Sequence, residues 1–200
     1  MPIKPKALTL ASTATWRAEL LRELKIPFDV MAPPYEEHFP SGASPKELAL
    51  AHSEGKARAA ARERPTAFVL AADQTAEFAK RCLQKPRDLG ACITQLTKLQ
   101  GKAHYLHSAI SLYNPSDQSI QSDIVTVTLE MRALSPSEVL EYIHRDKPIG
   151  CVGSYKFELG GKDLFRSVDQ DESAIVGLPL EHVSRLMFRA GLLKHPTTET

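Results

Sequence analysis

The stretch TAFVLAADQT, Thr66–Thr75, decides the fold that the sequence predicts. Phe68–Ala72 is a short apolar run of the kind found in a buried strand, and the carboxylate of Asp73 and the amide of Gln74 follow it. In an α/β protein, polar groups at the carboxyl end of a strand face bound ligands. The sequence therefore predicts a strand that ends at Asp73 and Gln74 beside a ligand site. An ordinary solvated turn is the alternative.

Helical and extended patterns alternate on both sides of this stretch. Leucines at helical spacing predict a helix over Trp16–Lys25, with N-cap candidates just before it. A capping-box pattern predicts a second helix over Ser44–Arg64. Two long runs around a turn, His104–Pro115 and Gln118–Leu134, predict a pair of strands. Because no repeat, low-complexity block or linker separates these elements, we expect a single α/β domain over residues 1–200.

Composition and charge exclude several classes of protein. The chain of 200 residues is 42% hydrophobic and 24% charged, which is typical of an ordinary globular protein. Its formal net charge of +1 argues against a protein that holds nucleic acid by bulk electrostatics. No apolar run is long enough to span a membrane. The 3 widely spaced cysteines match neither a disulfide framework nor a zinc site, which predicts a reducing, cytoplasmic location.

Eight short motifs follow one another along the chain: LTLASTATWRAELL, APPYEEHF, EGKA, AADQ, QKP, GKAHYLHSAISL, CVGSYKFELGG and IVGLP. In this order they resemble the Maf family of nucleoside triphosphate pyrophosphatases, from Leu8 to Leu186. The resemblance implies an elongated, twisted mixed sheet with flanking helices, in two lobes around a central cleft, as in inosine-triphosphate pyrophosphatases. Family members are often dimers, and the sequence leaves a homodimer open.

Three positions resemble those of the subgroup that hydrolyses 7-methyl-GTP, namely Trp16, Gln74 and Glu158. Methylation at N7 makes guanine a cation, and a cation over an indole face gains about 0.5–2 kcal/mol. A carboxylate such as that of Glu158 can accept hydrogen bonds from both donors on the guanine edge. Gln74 can bond a ring carbonyl or the sugar. The alternatives are a packing role for Trp16, the only tryptophan in the chain, and an exposed strand charge for Glu158.

The resemblance assigns catalysis to a second set of residues. It implies that Asp73 is the general base or a metal ligand, with Glu37 as its acidic partner. The implied cofactor is a divalent cation, Mg²⁺ or Mn²⁺, which Asp73 and Glu37 would hold against the phosphates. Arg17, Lys56 and Lys85 would gather at the triphosphate and offer donors where charge develops. Each of these cations, taken alone, is more typical of a solvated surface.

The loop after the first strand is predicted to contact phosphate through Ser12 or Thr13 and the backbone amides at the helix start. Where the family usually has Ser-x-Ser-Pro-x-Arg, this chain has Ala14 and Thr15 in place of the second serine and the proline. Two alternatives therefore stay open beside 7-methyl-GTP hydrolysis. One is a pyrophosphatase for other modified or canonical nucleotides, such as dTTP or UTP. The other is a weakly active, nucleotide-binding division regulator.

Two further features carry structural predictions. The segment AEFAKRC, Ala76–Cys82, lacks glycine, so a hairpin there requires another residue with positive φ or a longer loop. His104 and His107 lie three residues apart in a predicted strand, where side chains alternate between the two faces. We therefore expect these histidines to pack in the sheet rather than to share a metal.

Overall fold

A computed structural model describes residues 7–168 and 171–196. Its strands are β1 (Leu8–Ala11), β2 (Asp29–Met31), β3 (Phe68–Phe78), β4 (Arg81–Leu83), β5 (Ala103–Tyr113), β6 (Ile120–Met131) and β7 (Phe165–Val168). Its helices are α1 (Thr15–Arg22), α2 (Pro45–Glu63), α3 (Leu89–Leu99), α4 (Pro136–Asp146), α5 (Glu172–Val176) and α6 (Leu180–Arg189). Short 3₁₀ turns span Val152–Ser154 and Gly160–Leu164.

The strands form one mixed sheet of 7 strands in the order β2-β1-β3-β5-β6-β7, with β4 beside the far end of β3. β1 pairs parallel with β2 and β3, whereas β3, β5, β6 and β7 form an antiparallel ladder. Helices flank this sheet, so the predicted mixed α/β class is confirmed. The single domain over residues 1–200 stays a prediction, and both of its ends lie outside the described residues.

Successive residues of β3 face opposite sides of the sheet, because side chains alternate along a strand. Val69 and Ala71 pack against the alanine-rich face of α2. Leu70 and Ala72 belong to the core that α1 and α6 cover on the other side. Beyond this point, α3 and α4 cover the distant half of β5 and β6 with a third cluster of buried side chains. The long strand β3 therefore passes between the cores.

The prediction that the strand ends at Asp73 is wrong, because β3 continues to Phe78. What ends here is the neighbour: β1 pairs with β3 only as far as Ala71. On the same edge, β4 pairs with β3 from Ala76 onward. Asp73 and Gln74 thus lie between the segments of β3 that pair with β1 and with β4. At these two residues the edge of β3 is open to ligands.

The hairpin between β3 and β4 is formed without glycine. Ala79 has a φ of 50° and Lys80 a φ of 61°, between the paired residues Phe78 and Arg81. Positive φ at both central positions is the geometry of a type I′ turn, whose twist matches that of the strands. Two non-glycine residues therefore adopt the positive φ that the sequence predicts for this hairpin, at a cost of about 1–2 kcal/mol each.

The capping box predicted for α2 is present, and α4 begins with one as well. Ser44 and Glu47 bond reciprocally at the start of α2, and Ser135 does the same with Glu138 at α4. The expectation of a side-chain cap for the first helix is wrong, since Ala14 occupies the N-cap without a side-chain hydrogen bond. The first helix therefore depends on packing rather than on a cap.

The last helix and the histidines of β5 have internal partners. The apolar side chains of α6 pack into this chain's core, and the oligomeric state stays open. His104 bonds the Tyr155 hydroxyl at 2.8 Å, whereas His107 contacts Glu77 and Thr126, so the two histidines have separate structural partners as expected. Within the described ranges, no helix is long and apolar enough to cross a membrane.

Candidate active site

A lysine joins the two predicted acidic residues at the open edge of β3. Asp73 faces α2, since it continues the Val69–Ala71 side of the strand. The Lys56 ammonium group donates to Asp73 Oδ1 at 2.5 Å and to Glu37 Oε1 at 2.7 Å. Lys85 Nζ lies 3.5 Å from the other Glu37 oxygen. The structure therefore brings together four of the five predicted catalytic residues in one network of alternating charges.

Burial and charge act in opposite directions on Glu37. Desolvation favours its neutral form, but the hydrogen bond and charge of Lys56, together with the charge of Lys85, lower its pKa below the ordinary value. The Asp73 side chain is only 6% exposed, whereas that of Lys85 is 51% exposed. The cluster thus has a fixed interior pair, Lys56 and Asp73, and a solvated outer lysine that is free to follow a ligand.

Arg17, the fifth predicted catalytic residue, is held by backbone carbonyls on the opposite side of β3. Its Nε donates to the Gly177 carbonyl at 3.0 Å and one terminal nitrogen to the Ala72 carbonyl at 3.4 Å. Burial lowers the pKa of Arg17, although the charges of Asp73 and Glu37 oppose that effect. A guanidinium group stays protonated in proteins, so Arg17 presents a fixed positive charge to the cavity beside it.

A cavity of about 270 Å³ lies beside this cluster, and Trp16, Arg17, Lys56, Asp73 and Glu158 are on its wall. Trp16 is 37% exposed, so its ring is accessible from the cavity, and the alternative of a half-buried packing residue stays open. Glu158 lies in a turn before the 3₁₀ segment at Gly160, not on a strand. The structure thus brings two of the three predicted specificity residues, Trp16 and Glu158, to one cavity that also carries the basic groups.

Gln74, the third predicted specificity residue, has its carboxamide nitrogen engaged within the protein. Because it faces the α1 side of β3, that nitrogen lies 2.8 Å from Ser108 Oγ and 3.0 Å from the carbonyls of both Ala174 and Ile175. Two hydrogens are shared among three acceptors. Gln74 therefore ties β3 to α5, while the same residue lines the cavity.

The structure separates the two predicted phosphate-binding side chains. Thr13 is on the wall of the small cavity together with Ala14. Ser12 is 5% exposed, and its hydroxyl oxygen accepts a hydrogen bond from the Ala14 amide at 3.1 Å. Ser12 therefore shapes the loop, and Thr13 is the hydroxyl that faces the cavity.

Sequence reasoning missed a histidine–tyrosine pair beside the acidic cluster. The Tyr35 hydroxyl lies 3.0 Å from His52 Nδ1, and the other ring nitrogen, Nε2, is buried with no hydrogen-bond partner within the described residues. Desolvation lowers the pKa of His52, against the charges of Asp73 and Glu37. A Cβ on Gly55 would lie 2.2 Å from the Tyr35 ring. Gly55 inside the predicted helix was the available signal, because a glycine there indicates that another group packs closely against the helix backbone.

A second and larger cavity, of about 830 Å³, adjoins the same cluster. Its wall includes Glu37, Asp73 and Lys85, which also line the small cavity. It extends past His52 and Phe39 toward the start of α3. Residues of the charged cluster therefore lie on the walls of both cavities.

The donor set of the cluster suits a hard divalent cation in part. Mg²⁺ is usually bound through one or two carboxylates together with substrate phosphates. Asp73 and Glu37 supply two carboxylates within reach of one lysine nitrogen. In the chain as described, no group of three or more histidine, cysteine or acidic residues could hold a metal by itself. These residues fit a cation that also binds the nucleotide.

The family described as "Maf-like protein" matches residues 7–190 of this sequence. The chain belongs to the Maf family. It is 36% identical over 192 residues to a protein named 7-methyl-GTP pyrophosphatase from Albidiferax ferrireducens, covering 96% of both chains. A protein of the same name from Xanthomonas oryzae pv. oryzae is 37% identical over 185 residues, covering 92% of this chain and 96% of that one.

Among solved structures, this Maf protein is similar to a HAM1 protein from Coxiella burnetii. The sequences are 17% identical, and the match covers 92% of this chain and 99% of that chain with a TM-score of 0.45.

Proposed function

We propose that this Maf protein hydrolyses 7-methyl-GTP to 7-methyl-GMP and pyrophosphate. One observation carries the proposal: Trp16 and Glu158 line the same small cavity as Lys56 and Asp73. An aromatic face and a carboxylate suit a cationic guanine, and the adjacent cations suit its phosphates. The names of the relatives at 36% and 37% identity support the same substrate.

We assign the base to the small cavity, between the Trp16 ring and the Glu158 carboxylate. With the base placed there, the α-phosphate reaches the open edge of β3 at Asp73. Arg17 is fixed by two carbonyls beside this edge, so it meets the phosphate charge without reorganisation. Lys85 is largely exposed, and we assign it to the departing pyrophosphate, which it can follow.

We assign Asp73 to the attacking water. Lys56 occupies its Oδ1 and thereby fixes the orientation of the carboxylate. The second oxygen then accepts a proton from water aligned with the α-phosphorus, and the bond from that phosphorus to the β-phosphate oxygen breaks. Glu37 keeps Lys56 in place from the other side. Asp73 and Glu37 are also the residues that would hold Mg²⁺ or Mn²⁺, a cation that neutralises phosphate charge and acidifies bound water.

We place this reaction in the cytoplasm, since all three cysteines are free thiols, as a reducing compartment keeps them. Cys92 is buried, and Cys82 and Cys151 are partly exposed.

The experiment is pyrophosphate release from 7-methyl-GTP, GTP, UTP and dTTP, with Mg²⁺, Mn²⁺ or EDTA. We expect selective, cation-dependent turnover of 7-methyl-GTP that Asp73→Asn and Glu37→Gln abolish. Glu36→Gln is the matched control, because Glu36 is the adjacent, exposed carboxylate and should be dispensable. Equal turnover of UTP or dTTP would refute the assignment of Trp16 and Glu158. If the folded protein turns over none of these nucleotides, the proposed enzymatic activity is refuted and a nucleotide-binding protein is favoured.

A further inference from the structure

The larger cavity offers more room than the departing half of a nucleoside triphosphate requires. At about 830 Å³ it is several times the small cavity of about 270 Å³, and it falls within the roughly 300–1,000 Å³ of ligand pockets. Both cavities share Glu37, Asp73 and Lys85. A ligand whose base lies in the small cavity would therefore pass its phosphates over the cluster and continue into the large one.

The wall of the large cavity carries apolar groups as well as the basic side chains of Arg87 and Lys98. Phe39, Leu83 and Pro86 are apolar residues that line this cavity and not the small one. Phe39 is 52% exposed, so its ring is available to a ligand. Exposed aromatic rings on a cavity wall are stacking surfaces for nucleobases of any sequence.

A buried polar atom lies behind this aromatic surface. The Phe39 and His52 rings meet edge to face, with their centroids 5.3 Å apart. His52 is 2% exposed and lines the large cavity, and among the described residues its Nε2 has no hydrogen-bond partner. A buried polar atom without a partner is costly in a folded protein, and a ligand group is one way to satisfy it.

We propose that the large cavity binds a second nucleoside, attached through the terminal phosphate, so that the substrate class includes 5′,5′-dinucleoside triphosphates with one 7-methylguanosine. This inference rests on the proposed function. Water attacks the α-phosphorus on the methylguanosine side, and the bond from that phosphorus to the bridging β-phosphate oxygen breaks. The products are 7-methyl-GMP and a nucleoside diphosphate, with release of one proton.

The test compares 7-methyl-GTP with the dinucleotide m⁷GpppA on the full chain, and products are separated chromatographically. In ¹⁸O-labelled water we expect the label in 7-methyl-GMP and unlabelled ADP as the other product. Phe39→Ala should lower the ratio of kcat/KM for m⁷GpppA to that for 7-methyl-GTP by about tenfold, from the loss of one stacked base. Phe188→Ala is the matched control, since Phe188 is 45% exposed on α6 and lies on neither cavity wall.

The outcomes separate this inference from the proposed function. Turnover of 7-methyl-GTP, with neither turnover of m⁷GpppA nor competition by it, overturns the inference alone. The same ratio in Phe39→Ala and Phe188→Ala overturns the assignment of the large cavity. Absence of turnover with both substrates overturns the proposed function, and the inference falls with it.

Discussion

Lys56 should be the residue whose loss most damages both stability and activity. It bonds Asp73 and Glu37 at 2.5 and 2.7 Å, so the two carboxylate oxygens are at most the sum of these distances, about 5 Å, apart. Two like charges at this separation repel by about 3 kcal/mol at an effective dielectric constant of about 20. Breaking a buried ion pair costs roughly 3–5 kcal/mol, and the partial exposure of Glu37 favours the lower end. We therefore expect Lys56→Met to lose about 3 kcal/mol of unfolding free energy at pH 7.5.

The loss should depend on pH in a defined direction. Lys56 lowers the pKa of Glu37 in the native protein, so its contribution is present above the unfolded-state pKa and disappears as pH falls through the folded-state pKa. Without the lysine, two like charges face each other once both carboxylates are ionised, so the variant loses stability as pH rises. The difference between wild type and Lys56→Met should therefore be smaller near pH 4 than at pH 7.5, where it is fully present.

Urea denaturation at both pH values, followed by far-UV circular dichroism, measures this difference. Lys46→Met is the matched control, because Lys46 is an exposed lysine in the first turn of the same helix. The double variant Lys56→Met/Asp73→Asn removes one of the facing charges and should regain most of the loss. A loss below about 1 kcal/mol at pH 7.5, or one that is equal at both pH values, would refute the electrostatic account.

Three other predictions concern the turn, the helix and the cavity. Replacing Ala79-Lys80 by Asn-Gly should raise stability by about 1 kcal/mol in thermal melts, since both positions have positive φ; an unchanged midpoint would contradict the strain. Gly55→Ala should destabilise the chain by about 1–2 kcal/mol in urea despite the better helix propensity of alanine, because the added methyl group clashes with the Tyr35 ring. Adding Tyr35→Ala to this variant should recover the lost stability, and no recovery would exclude the clash. Glu158→Gln should lower the kcat/KM preference for 7-methyl-GTP over GTP by about tenfold, because a charge-assisted hydrogen bond to the base is lost. An unchanged preference would refute the assignment of the base to the small cavity.

The sequence predicted local structure well wherever local chemistry decides it. Ser44 bonds Glu47 within one turn, so the capping box was visible in four residues. The end of the strand at Asp73 was predicted wrongly, because polarity alone does not reveal that β1 stops at Ala71 while β3 continues. Strand neighbours are chosen by tertiary pairing, which a single sequence does not show.

The residues of the site were largely predicted, but the hydrogen bonds that join them were not. Motif resemblance collected Asp73, Glu37 and Lys56, and the structure brings all three within hydrogen-bond distance. His52 was missed, since a lone histidine in an alanine-rich helix gives no signal, and its partner Tyr35 lies 17 residues earlier. Such a pair depends on how the segment before α2 packs on that helix.

Two residues assigned to substrate also hold the same stretch of backbone. Gln74 bonds the carbonyls of Ala174 and Ile175, and Arg17 bonds that of Gly177. A substitution at Gln74 or Arg17 therefore removes a ligand contact and loosens the end of α5 in one step. Kinetic constants from such variants will combine two losses, and an apparent change of substrate preference can arise from displaced backbone alone. Trp16 and Glu158 are the cleaner positions at which to redesign selectivity.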